Sequence, residues 1–200
     1  LVAAAVALAI AVAELAAAAG AADPTAAPRG ILAAVASSCQ AGTRVDGPLD
    51  GDRFSAAPSA LWRGEAGQAN WWWQVDFGAE RMLGAILQVL GDDDLVLRHA
   101  PRDYVWQISA DGHTWVDVSE TQVVAEQRCF RVHRFARPRQ CRAARIAITA
   151  ASDGAPALRE AEFLSSPAEV QFPPWLLTVN TEPAEPMPFQ CPLFVELAHQ

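Results

Sequence analysis

The chain has 200 residues, 52% of them hydrophobic and 19% charged, and carries a net charge of -8. That length holds one ordinary domain with some chain left over, and the acidity excludes a general nucleic-acid binder, whose footprint is a basic face. All fifteen cations are arginine, which we read as GC-rich coding bias rather than as function.

The first 22 residues, LVAAAVALAIAVAELAAAAGAA, match the hydrophobic and cleavage regions of a secretory signal. Glu14 interrupts the run and no basic start precedes it. An uncleaved anchor or an alanine-rich tail therefore stays open, although a membrane span needs about 20 apolar residues without a carboxylate in the middle. Residues 23–30 read as a Pro/Ala linker. Export would place the protein outside the cell, in the periplasm or on the cell surface, where disulfides form.

From Ile31 onward the pattern is one of short apolar or alternating runs separated by Gly, Asp and Pro. The predicted strands are Ile31–Ser37, Trp71–Phe77, Leu83–Leu90, Tyr104–Ser109, Thr114–Val118, Cys129–Phe135, Ala143–Thr149 and Leu158–Leu164. Asp111-Gly112 between two of these runs is a hairpin signal. Eight short strands with turn punctuation give an all-β, antiparallel jelly-roll sandwich. In Asn70-Trp71-Trp72-Trp73-Gln74-Val75-Asp76-Phe77-Gly78, period-two logic puts Trp73, Val75 and Phe77 on the core face. Trp72 falls on the opposite face, expected under a loop, and Trp71 at the strand entrance is the one left for exposure. Cys129 and Cys141 flank an expected hairpin and are the pair for a disulfide, with two unpaired thiols as the alternative. The chain has no C-x-x-C, so metal-thiolate spacing is absent.

Residues 167–200 change in texture: they are rich in proline and contain no arginine. A strand-like run at Trp175–Asn180 and a helix-like one after Leu193 suggest the start of a second domain, or a tail that packs on the sandwich.

The words Leu49-Asp50-Gly51-Asp52, Trp72-Trp73-Gln74-Val75-Asp76-Phe77-Gly78 and Ser109-Ala110-Asp111-Gly112-His113-Thr114-Trp115 are followed by Arg142–Ile148 and Leu158–Phe163. In this order, over about two-thirds of the chain, they resemble the discoidin domain, also called the coagulation factor V/VIII type C domain. Family-32 carbohydrate-binding modules share its fold. The resemblance implies an eight-stranded jelly roll over residues 31–166 that binds glycans, lipids or proteins through loops at one end and has no catalytic machinery. It also implies a structural calcium ion at the Asp-Gly-Asp turn. The positions that match are Asp50, Asp52, a hydroxyl at Ser55 and Glu160 on the last strand, an oxygen set of the kind calcium takes. Ser59 competes with Ser55 for the hydroxyl role, and a solvated Asx turn without metal is the alternative.

For the ligand, the loop Gly91–Arg102 carries the densest chemistry. Arg98, His99 and Arg102 beside Asp92, Asp93 and Asp94 offer donors for sugar hydroxyls or a carboxylate. Trp62, in the other long loop, is a candidate for stacking on a sugar face. The arginine series from Arg128 to Arg145 alternates with apolar residues and reads mainly as a solvated sheet face, with Arg131 and His133 opposite to Phe130 and Val132. There is no G-x-S-x-G, H-E-x-x-H or phosphate-cradling glycine loop. The expected function is that of a non-catalytic, exported carbohydrate-binding module that targets a larger protein to a glycan or cell surface. One alternative is an accessory domain of an enzyme whose catalytic part lies after residue 172. The other is a protein- or membrane-surface adhesion module, although Asp92 to Asp94 disfavour insertion of that loop into a bilayer. The expected partners are a glycan and further domains of the same polypeptide.

Overall fold

A computed structural model describes residues 33–93 and 97–171. The expected signal segment, the linker and the strand-like and helix-like runs after residue 172 lie outside the described residues. Seven strands and a few single 3-10 turns make up the described part, with no α-helix among them: β1 (Ala33–Ala36), β2 (Trp62–Arg63), β3 (Trp71–Leu90), β4 (Pro101–Ser109), β5 (Val116–Asp117), β6 (Phe130–Ala151) and β7 (Ala157–Leu164).

The pairing is antiparallel throughout and resolves into two layers. Residues 71–76 of β3 lie between β1 and residues 143–148 of β6, and β4 and β5 continue that layer beyond β6. Residues 85–90 of β3 lie between β7 and residues 130–134 of β6, with β2 at the far edge of β7. The long strands β3 and β6 therefore run through both layers. The fold-over falls where the register slips, between Asp76 and Arg81 and again between Leu83 and Ala85. Gly78 supplies a left-handed turn there (φ 76°), and its N–H is capped by Asp76 Oδ1 at 2.7 Å. In β6 the same place holds exposed Pro138, which has no N–H to lose from the ladder.

Eight predicted strands become seven for this reason. Two predicted pairs fuse into β3 and β6, and the two-residue β2 is added.

The first layer obeys the alternation read from the sequence. Trp71, Trp73, Val75 and Phe77 are buried, and Trp72, Gln74 and Asp76 are half-buried on the outer face. Trp71 is only 6% exposed, which corrects its assignment as the exposed member of the run. Its indole N–H donates to Glu65 O at 2.8 Å, and that of Trp73 to Val45 O at 2.7 Å, so neither ring is buried with an unmet donor. Trp73 stacks on Phe163 of the other layer at 6.4 Å, and Trp106 meets the same ring edge-on at 5.7 Å.

The second layer is buried on both faces. Ile86 and Leu90 face the main core, and Ala85, Leu87 and Val89 form a second cluster with Cys129, Phe130 and Val132. The expectation for Arg131 and His133 is therefore inverted. Phe130 and Val132 occupy the outer cluster, while His133 is buried and meets the Tyr104 ring edge-on. Burial first, then the Arg131 charge, pushes the His133 imidazole down to about 3, so it is neutral. A connected polar set runs through this region: Trp106 Nε1 donates to Gln88 Oε1 (2.7 Å), Gln88 Nε2 to the Tyr104 hydroxyl (2.6 Å), and that hydroxyl to Glu126 Oε2 (3.0 Å).

Cys129 and Cys141 are buried and not bridged to each other, which corrects the expected disulfide. They do not flank a hairpin: Cys129 immediately precedes β6 and Cys141 lies within it. At roughly 3.3 Å per residue along a strand, they are far beyond the ~7 Å Cα limit for a bridge.

Candidate functional site

Because β3 and β6 fold over, one end of the sandwich holds the fold-over and the other collects connections. At that second end lie residues 37–40 after β1, the start of the β2–β3 link, residues 91–93 and 97–100 after β3, and residues 152–156 before β7. Main-chain bonds lash them together. Gly64 N–H donates to Pro156 O, Gly91 N–H to Ala157 O and Ser152 N–H to Ala100 O, each at 2.9 Å.

At this end the carboxylate of Asp92, only 8% exposed, gathers two arginines and a histidine. Arg63 Nη1 reaches Asp92 Oδ2 at 2.7 Å, His99 Nδ1 reaches the same oxygen at 2.9 Å, and Arg98 Nε reaches Oδ1 at 3.0 Å. Burial would raise the Asp92 carboxyl, but the bonds from His99 and Arg98 outweigh it and hold the group below its ordinary value. Arg63 is braced from behind, its Nε donating to the Gln40 side-chain carbonyl. His99 sits at φ 54°, a conformation rare for a residue with a side chain, and is held there by the loop. The result is a fixed fork. With Nδ1 bonded to Asp92, His99 retains Nε2 as its remaining polar atom, and Arg98, 52% exposed, also has its Nη2 3.7 Å from Asp93 Oδ2. A fork of this kind, rooted in a desolvated carboxylate, suits planar or vicinal oxygen acceptors.

Of the residues proposed from sequence, Arg98 and His99 are brought together here. Arg102 stands apart on β4, its Nε buried without a hydrogen-bond partner. Trp62 cannot stack on a ligand: it is fully buried in β2, opposite Leu158, with its indole N–H donating to Ser38 O at 2.7 Å. What looked like a loop is an edge strand of the second layer. Arg63 and Gln40 were missed, because nothing local in Leu61-Trp62-Arg63-Gly64 points 29 residues ahead to Asp92.

The Asp-Gly-Asp turn lies beside β7. Asp50 Oδ1 accepts Asp52 N–H at 2.8 Å, Asp52 Oδ1 accepts the N–H groups of Phe54 and Ser55 at 3.0 and 3.1 Å, and Ser55 Oγ accepts Ala57 N–H at 3.3 Å. Gly51 takes φ 81°. Glu160 on β7 is 1% exposed, and its Oε2 has no partner. Burial, then the charges of Glu162 and Asp50, push its carboxyl up to about 9, against the opposing pull of Arg53 and Gly51 N–H. Arg53 itself is committed to Glu162, with Nη2 at 2.7 Å from Oε2. No group of three His, Cys, Asp or Glu side chains converges on a metal position among the described residues.

The model of the F5/8 type C domain matches residues 33–163, from the first strand to the penultimate residue of the last. The chain belongs to the F5/8 type C domain family. Solved structures agree on the fold. Chitosan-binding module 1 of a chitosanase/glucanase from Paenibacillus sp. IK-5 superposes with a TM-score of 0.54 at 18% identity, over 66% of this chain and 93% of that one. A fucose-binding module of Streptococcus pneumoniae gives 0.55 at 14% identity, over 66% and 92%. The lectin domain of lectinolysin complexed with Lewis B antigen gives 0.57 at 17% identity, over 69% and 94%. No curated protein matches the sequence. The F5/8 type C words quoted above acquire physical roles in the structure. Ser109–Trp115 is the β4–β5 hairpin, where the Asp111 carboxylate accepts the N–H groups of His113 and Thr114 (both 2.7 Å) and the hydroxyls of Ser109 and Thr114 (both 2.9 Å).

Proposed function

We propose that this F5/8 type C domain is a non-catalytic, exported module that binds carbohydrate through its loop end. The observation that carries the proposal is the Arg63–Asp92–His99–Arg98 cluster, a desolvated carboxylate that orients half-exposed donors on a rigid scaffold. Sugar hydroxyls accept from such donors, and prior fixing of the donors lowers the ordering cost of binding. Similar folds whose titles name chitosan, fucose and Lewis B support the ligand class.

Calcium is a second part of the proposal. The orphaned Glu160 Oε2, repelled by Glu162 and Asp50, is what a divalent cation would relieve. Asp50 and Glu160 would supply carboxylate oxygens, and Asp52 and Ser55 would join them if the turn re-forms around the ion. Bound calcium would contribute charge and stiffness to the turn. We also propose that the domain serves a larger polypeptide, as the chitosan-binding module does within a chitosanase/glucanase.

The test is a glycan array probed with the full chain, with and without EDTA, alongside Arg98→Ala and His99→Ala. The expected result is binding to at least one glycan class, weakened tenfold or more by either substitution in protein that remains folded by circular dichroism. No binding to any glycan, or full binding by both variants, sinks the loop-end reading. Absence of any thermal shift on chelation sinks the calcium.

A further inference from the structure

The outer face of the first layer carries a feature that the loop-end reading does not use. Ala147 of β6 is flanked by Trp72 of β3 and Val105 of β4, and all three are half-buried on that face. Their strand neighbours Trp71, Ile148 and Tyr104 point into the core. Directly opposed residues share a face about 5 Å apart, so a methyl between an indole and an isopropyl group leaves a trough across the sheet. On its β4 side it opens into a groove of about 360 Å³ lined by Asp103, Val105, Gln107, Asp117, Val124 and Thr149.

The groove has sidedness in charge. Its floor is apolar, its walls carry two amides and a hydroxyl, and carboxylates stand along it at Asp103 and Asp117. The nearby cation Arg145 is already engaged. Its guanidinium lies 4.3 Å over the Trp115 ring, and its Nε donates to Gln107 Oε1 at 2.8 Å. Gln107 Nε2 in turn donates to exposed Asp117 Oδ1 at 2.6 Å. From Asp103 to Gln107 the strand runs roughly 13 Å, a length for a short oligosaccharide rather than a single ring.

We infer that this sheet face is a second saccharide site, separate from the loop end, for a hydroxyl-rich chain that bears protonated amines. An indole beside a shallow apolar trough offers a stacking edge. The two carboxylates favour ammonium groups and disfavour uronates. Neither Arg98 nor His99 takes part.

The experiment titrates the full chain calorimetrically at pH 5.5 with three probes: a glucosamine pentamer, cellopentaose and pentagalacturonate. The expected order places the glucosamine pentamer first and pentagalacturonate last. Ala147→Ile, a substitution that strands accept, fills the trough and should weaken the glucosamine pentamer tenfold or more. Asp117→Asn, at an exposed position, should weaken it several-fold without changing the melting temperature, and Arg98→Ala should leave it unchanged. Undiminished binding by both Ala147→Ile and Asp117→Asn overturns the site, as does no binding of any probe by the wild type. Equal affinity for cellopentaose and the glucosamine pentamer overturns the charge assignment. Glycan signals that survive Arg98→Ala and His99→Ala but vanish in Ala147→Ile would sink the loop-end proposal and leave this one standing.

Discussion

Glu160 lies on β7 with its carboxyl closed off from solvent and two other carboxylates for neighbours, and it makes stability depend on pH in a definite direction. Its folded value is raised to about 9 from an ordinary 4.5. Without a cation, the group keeps its proton in the folded state and loses it on unfolding across that interval. The stabilisation is complete below pH 4.5 and is lost as the pH rises through 9. We predict that in EDTA the wild type loses stability over this window, that Glu160→Gln flattens the slope, and that saturating calcium raises the wild-type melting temperature but not that of the variant. Denaturation series at several pH values check all three, and parallel slopes for both proteins would refute the assignment. The same scale shows what the sequence disclosed about the loop-end site. Arg98, His99 and Asp92 lie within eight residues and declare themselves as a chemically loaded loop. Arg63 arrives from another strand and Gln40 from another loop, and a partnership across 29 residues leaves no local trace.

The strands divide by how much of their burial is one-sided. In the first layer one face meets the core and the other meets solvent, so alternation in 71–77 and 104–108 reads directly onto the structure. Residues 83–90 are all buried, and a run whose one polar residue, Gln88, is itself buried says nothing about which face is which. The same loss of contrast turned Phe130 and Val132 the wrong way. The fusion of predicted strands has a different cause: Gly78-Ala79-Glu80 has the composition of a turn, and only the pairing of Asp76 with Ala143 and of Arg81 with Cys141 shows the ribbon continuing past it. Gly84 marks the second slip in that ribbon. A Cβ there would lie 2.3 Å from Ser165 O and 3.0 Å from Ser165 C, main-chain atoms that have no rotamer to change. Gly84→Ala should therefore destabilise the domain by about 1–3 kcal/mol, measured by urea denaturation. A neutral result would mean that the segment after β7 is free to lift away.

Across the whole molecule, the ribbon that passes through both layers fixes which end does what. Ala33 at the start of β1 opposes Asp76, and Leu164 at the close of β7 opposes Ala85, so both edges of the domain emerge at the fold-over. The loop cluster sits at the opposite end. This arrangement has a mechanical consequence. Tension between a surface gripped at the loops and a tether at the fold-over runs along the strand axes, so ladder bonds must slide together rather than open in turn. A tether before residue 33 strains only the four pairs of β1, whereas one after residue 164 strains the six pairs of β7 with β3 and two more with β2. With the loop end anchored, single-molecule pulling should rupture the first geometry at lower force, and equal forces would refute it. The domain would then hold best when the cargo hangs from its C-terminal edge.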